Sequence, residues 1–148
     1  MQVESYRKLY KTEIEKLKNE IELYKDEGTL WVIDKEIANS AGHLCLHLIG
    51  NLNHFIVFGF GKIGYLRDRE LEFNSDDVPR EHLVDSISET AAIVDKVLRN
   101  TTEENLQSDY PISKFEDRTS IEFVLVHLLA HLTYHIGQIN YHRRIFDN

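Results

Sequence analysis

The chain has 148 residues, 42% of them hydrophobic, and a formal net charge of −8 with histidine counted neutral. That length suits one domain spanning 1–148 with its own core, and the acidic balance excludes nucleic acid or an anionic membrane surface as main partner, since both require a basic footprint. Cys45 is the only cysteine, so no intramolecular disulfide forms; the N-terminus lacks the apolar core of a signal peptide, no run of about 18 apolar residues occurs, and a soluble cytoplasmic protein is expected.

Val3, Tyr6, Tyr10, Leu17, Ile21 and Tyr24 recur at helical spacing with Lys and Glu between them, which predicts an amphipathic helix over roughly residues 2–27. Gly28 is expected to cap its C-terminus. Residues 29–33 read as a short apolar connector that holds Trp31 against the bundle. A second helix is predicted from Asp34 or Ser40 to Phe58, carrying Leu44, Leu48, Phe55 and Ile56, with Gly59, Gly61 and Gly64 ending it. A long, charged connection follows over 61–78, a length typical of a functional loop or a crossover. Pro79 suits the first turn of a third helix. Leu83, Ile87, Ala91, Val94 and Leu98 share one of its faces, and it ends near residues 100–104. After a polar loop, Thr119 and Glu122 have capping-box spacing and open a fourth helix that runs to about Phe146. The pattern predicts an all-α four-helix bundle with its long connection between helices two and three.

Two helices carry polar residues where a core is expected. On the fourth, Val124, Leu128, His131, Gln138 and His142 lie at alternating spacings of four and three, with His135 between His131 and Gln138. Such a seam faces the interior, and its lower half is polar. On the second, Ser40, His43, His47, Gly50 and His54 form one stripe, and Gly50 removes bulk there, leaving room for a ligand or for close helix approach. Buried polar groups need partners.

Imidazoles four apart on a helix face one another one turn apart and can close on one ion. The pattern therefore points to a metal site with His131 and His135 from the fourth helix and His47 from the second. Three protein ligands leave positions open for water or substrate, as in catalytic centres. His127 belongs to the same run, but it lies about 12 Å along the axis from His135, so one of these two stands outside the ligand set. The plainer alternative is a set of hydrogen-bonded core histidines. His82 and His142 read as surface or helix-end residues, Cys45 as a small core residue, and Asp76 and Asp77 as helix caps.

Three segments carry a family resemblance: H-L-I-G-N-L at 47–52, R-D-R-E-L-E-F at 67–73, and H-L-T-Y-H-I-G-Q-I at 131–139. With these in order along nearly the whole chain, the sequence resembles the DinB superfamily. These four-helix bundles include YfiT-like metal-dependent hydrolases and the bacillithiol and mycothiol S-transferases. The most specific match is the family's His, three residues, His, one residue, Gly-Gln. The resemblance implies His47, His131 and His135 as the metal triad and leaves His127 outside. It also implies zinc or nickel as the metal, a crossover between helices two and three, and a homodimer. Where many members have arginine after the second histidine of this motif, the chain has Ile136.

The expected activity is a metal-dependent transfer of a low-molecular-weight thiol to an electrophilic small molecule. Asn51 and Gln138 are expected to orient imidazoles. Arg67 and Arg69 are candidates to meet an anionic cofactor, set against the plainer reading of exposed salt bridges. Hydrolysis at the same site is the first alternative. It needs a general base, which only a folded-back loop carrying Glu70 or Glu72 supplies. The second alternative is a non-catalytic, stress-related binding or assembly module.

Overall fold

A computed structural model describes residues 2–34, 36–112 and 118–148. Its first helix, α1 (Gln2–Leu23), buries Val3, Tyr10, Ile14, Leu17 and Ile21 along one side, as the helical period requires. The helix ends earlier than expected, and Gly28 is not its cap: no glycine here adopts the left-handed conformation that such a cap uses. Tertiary contacts stop it instead. The amides of Lys25 and Asp26 donate to the Asp147 carboxylate at 2.6 and 3.1 Å, and the Tyr24 carbonyl accepts from the Arg80 guanidinium. The backbone groups that another turn would use are thus taken. Gly28 lies within a 3₁₀ turn, Glu27–Trp31, opened by the Asp26 side chain.

The next helix, α2 (Ala41–Leu52), starts at the second of its two expected positions. Ser40 Oγ accepts from the His43 amide at 3.1 Å and satisfies one of the free donors of the first turn. Gly42 lets Trp31 sit against this turn: a Cβ there would stand 2.5–2.6 Å from three carbons of the indole. The helix continues as a π-helical turn, Asn53–Phe58. Gly59 then admits the Tyr110 hydroxyl, which donates to the Phe55 carbonyl at 2.7 Å.

The charged connection is not simply a loop. It contains a short helix, α3 (Arg69–Asn74), whose first turn is capped by Asp68 accepting from the Leu71 amide at 3.0 Å. This helix packs back onto α2. Pro79 stands at the N-cap of α4 (Arg80–Arg99), one residue before the helix. Of the expected face, Leu83, Ile87, Val94 and Leu98 are buried and Ala91 is half-buried. A short α5 (Glu103–Leu106) follows. Then α6 (Ile121–Phe146) begins at Ser120, whose Oγ accepts from the Phe123 amide. The capping-box reading at Thr119 is therefore off by one residue: the Thr119 carbonyl instead accepts from the Tyr110 amide at 2.7 Å.

The four long helices form an all-α bundle in the cyclic order α1, α4, α2, α6. Arg7 pairs with Asp95 at 2.9 Å while Tyr24 meets Arg80, so α1 and α4 are antiparallel. Tyr10 donates to the Leu125 carbonyl and Arg143 pairs with Glu20, so α1 and α6 are parallel. Asn53 bonds Thr90 at 3.0 Å and Gly61 lies against Val97, so α2 and α4 are parallel. Adjacent parallel helices cannot be joined by a tight turn, which is the reason for the long crossover.

The buried stripe of α6 differs from the expected seam. It runs through Val124, Leu125, Leu128, Leu132, Ile136 and Ile139 to His142. His131 and His135 are half-buried at its edge, and Gln138 is exposed. His142, expected at the surface or at a helix end, lies near the C-terminal end of α6 and is 3% exposed. Its Nδ1 accepts from the Tyr24 hydroxyl at 2.7 Å, and its Nε2 donates to the Val32 carbonyl at 2.9 Å. Cys45 is buried, as expected, and burial pushes its thiol up to about 12. Among the described residues no strand forms, and no helix is long and apolar enough to cross a membrane.

Candidate metal centre

The antiparallel packing of α2 against α6 brings His47, His131 and His135 together. His131 is the middle member: its Nε2 lies 3.0 Å from His47 Nε2 and 3.1 Å from His135 Nε2. One nitrogen from each ring lies within 4.8 Å of the others. The rings stand nearly edge to face, at interplanar angles of 73°, 87° and 89°, so their nitrogens point to one place rather than stacking.

The donor set fits a divalent transition metal. Nitrogens about 2.0–2.1 Å from one ion, at octahedral to tetrahedral angles, stand about 2.9–3.4 Å apart, which matches the two short separations. The outer edges of the rings support this. His135 Nδ1 lies 2.6 Å from Gln138 Oε1, and His47 Nδ1 lies 3.3 Å from Glu72 Oε1. A ring that donates Nδ1–H outward presents its Nε2 lone pair inward. With Nδ1–H outward on both rings, two lone pairs face His131 Nε2, which has at most one proton to share between them. A cation satisfies all three nitrogens; hydrogen bonds among the rings alone do not. Burial holds His47 below the ordinary imidazole range, although its hydrogen bond to Glu72 pulls the other way. The neutral form that binds a metal is thereby favoured near pH 7.

The remaining candidates separate clearly. Gln138 Oε1 lies 2.6 Å from His135 Nδ1. Asn51 lies one turn after His47 and is 5% exposed, and its Oδ1 meets no hydrogen-bond donor among the described residues. His127 is exposed, stacks on Phe123 and is not part of the cluster. His43 is buried, with Nε2 3.1 Å from Asp76 and its ring against Trp31. Asp76 therefore meets a histidine rather than capping a helix. Arg69 is exposed at the start of α3. The Arg67 ion pair is a correction: it is buried, not exposed. Its Nε lies 2.9 Å from Glu72 Oε2 and its NH2 3.1 Å from Oε1, with both side chains 7% exposed.

Glu72, expected only as a general base for hydrolysis, instead lies behind His47. It was visible only as part of a loop that would have to fold back, and α3 does fold back. Two signals point to it. Asp68 stands three residues before Leu71, which starts a helix, and Gly50 stands three after His47. A Cβ on Gly50 would lie 2.0 Å from Glu72 Oε2, so the gap on the histidine stripe accommodates this carboxylate. Phe73 closes the same side, 5.1 Å from the His47 ring.

No curated protein matches the chain. The family described as "Protein of unknown function (DUF1572)" matches residues 1–148, which is the whole length that builds this bundle and its histidine cluster, and the chain belongs to that family.

Proposed function

We propose that the protein is a metal-dependent enzyme of the DinB type, with His47, His131 and His135 as ligands to zinc or nickel, and that it transfers a low-molecular-weight thiol to an electrophilic small molecule. The observation that supports this most is the convergence of three Nε2 atoms within ligand distance, two of them on rings whose Nδ1 atoms face outward acceptors. A bound divalent ion supplies Lewis acidity that lowers the pKa of a coordinated thiol. The chain's own contribution is to hold the three imidazoles converging. His47 and Glu72 are buried on one side of the cluster, whereas His131 and His135 remain half-buried and leave an approach. In the reaction the thiol proton leaves to solvent, sulfur bonds to the electrophilic carbon, and the leaving group departs with its electron pair.

Transfer is favoured over hydrolysis because the cluster contains three imidazoles and no carboxylate. Glu72 sits at the outer edge of His47 and is engaged by Arg67, so it is not placed to take a proton from water at the centre. The test incubates metal-loaded protein with an electrophile, with and without a thiol. Turnover that requires the thiol is expected. Turnover indifferent to it favours hydrolysis, and an absence of stoichiometric metal after purification removes both enzyme readings in favour of a non-catalytic module.

A further inference from the structure

We propose that Glu72 is a positioning residue of the metal centre: clamped by Arg67 in the space left by Gly50, its carboxylate holds the His47 imidazole with Nδ1–H outward and Nε2 toward the ion. This inference rests on the metal reading above and adds α3 to the centre.

The argument begins with donors and acceptors. His47 Nδ1 has two polar neighbours at the same distance: Glu72 Oε1 at 3.3 Å and Arg67 NH2 at 3.3 Å. A carboxylate accepts and a guanidinium only donates. If Nδ1 donates to Glu72, the Nε2 lone pair faces the cluster. If Nδ1 accepts from Arg67, the ring proton sits on Nε2 and blocks coordination. The ligating tautomer of His47 is therefore decided by which neighbour wins. Arg67 already bonds Glu72 through two contacts, Nε to Oε2 and NH2 to Oε1, and the proton on His47 Nδ1 is assigned to the carboxylate.

Burial makes the arrangement rigid. Glu72 is 6% exposed, and a carboxylate out of water persists only with charge-assisted partners. Arg67 supplies that partner and is itself held over the Phe55 ring at 5.7 Å. A buried ion pair is by itself weak evidence of a stabilising role, because desolvation offsets most of the attraction. Here the pair has a third contact on a candidate ligand. It also occupies a site that exists only because residue 50 lacks a side chain. Carboxylate partners of ligating imidazoles fix ring orientation and tautomer, and their loss weakens metal binding by roughly 10–100-fold.

The experiment uses the full chain with zinc alone as the probe. Zinc affinity is measured by competition with a chromophoric chelator, and the tautomer of His47 in the metal-free protein is read from ring ¹⁵N shifts. Two variants reach the same contact by different routes. Glu72→Gln keeps the volume and removes the charge. Gly50→Ala keeps every charge and puts a methyl where the carboxylate lies, so it serves if the first variant does not fold. Both are expected to bind zinc about 10–100-fold more weakly, and the metal-free His47 is expected to move from Nδ1–H toward Nε2–H. Wild-type zinc binding that is lost in His47→Ala but unchanged in both Glu72→Gln and Gly50→Ala overturns the role of Glu72 and leaves the metal reading standing. A metal-free wild type with His47 protonated at Nε2 also overturns it. Wild-type protein that binds no zinc overturns the metal reading and this inference together.

Discussion

Replacing His131 by alanine should separate metal-linked stability from stability of the fold. His131 is the shared vertex of the cluster, within 3.0 and 3.1 Å of its two neighbours, so no other single truncation breaks both short contacts. A ligand that binds only the folded state stabilises it by about 2.7 kcal/mol when free ligand is at 100 times its Kd. For a chain of this length, each kcal/mol moves Tm by about 2–4 °C, so saturating zinc should raise the wild-type Tm by about 5–10 °C. In chelator, His131→Ala should cost about 1 kcal/mol or less, because the ring is half-buried and leaves no deep cavity. The assay is thermal unfolding across a zinc titration begun in chelator. The expected result is a near-wild-type Tm without metal and no zinc-dependent rise. His127→Ala, on an exposed ring one turn earlier on α6, should keep the full rise. A wild-type Tm indifferent to zinc, or a His131→Ala variant that rises like wild type, would refute the reasoning.

Two further outcomes follow from buried groups elsewhere. Burial holds His142 below the ordinary imidazole range, with its hydrogen bond to the Val32 carbonyl opposing. The unfolded chain therefore binds a proton before the folded one does. This part of the stability is intact above about pH 6.5 and falls as pH drops toward the lowered folded-state value. In denaturant titrations with chelator present, His142→Gln should lose less stability than wild type between about pH 7.5 and pH 5.5, and equal losses would exclude His142 as a contributor. Gly42→Ala drives a methyl against the Trp31 ring. It should cost about 1–3 kcal/mol by overpacking and red-shift the emission of the single tryptophan; unchanged stability and emission would show that Trp31 is not seated there.

Much of the architecture was legible because helical periodicity is local. The faces of α1 and α4 and the presence of a crossover follow from spacing and from the length of the charged segment, whereas the choice between Asp34 and Ser40 as the start of α2 is made by the Ser40 cap. The errors share one physical cause. Gly28 was read as a cap by its residue type, but Asp147, from the far end of the chain, takes the amides that follow α1. The seam of α6 was drawn through the histidines because an apolar row and a histidine row lie side by side on that helix. Only packing decides that Leu132 and Ile136 go inward while His131 and His135 stay at the edge. A place near a helix end leaves the exposure of His142 open, and Tyr24 and the 3₁₀ turn cover it.

The sequence by itself determined that the chain is helical, that its second and fourth long helices carry histidines at one-turn spacing, and that a long charged segment joins helices two and three. These are properties of residue type and period, which act within a few turns of one helix. Tertiary structure brings His47 against His131 and His135, the set that spacing and resemblance named, and it alone decided that Glu72 and Arg67 reach the back of His47. The contact between His47 and His131 alone joins residues 84 positions apart in the chain. These contacts depend on the parallel arrangement of α2 and α4, which forces the crossover to turn back, and on a glycine that leaves space for a carboxylate from another helix.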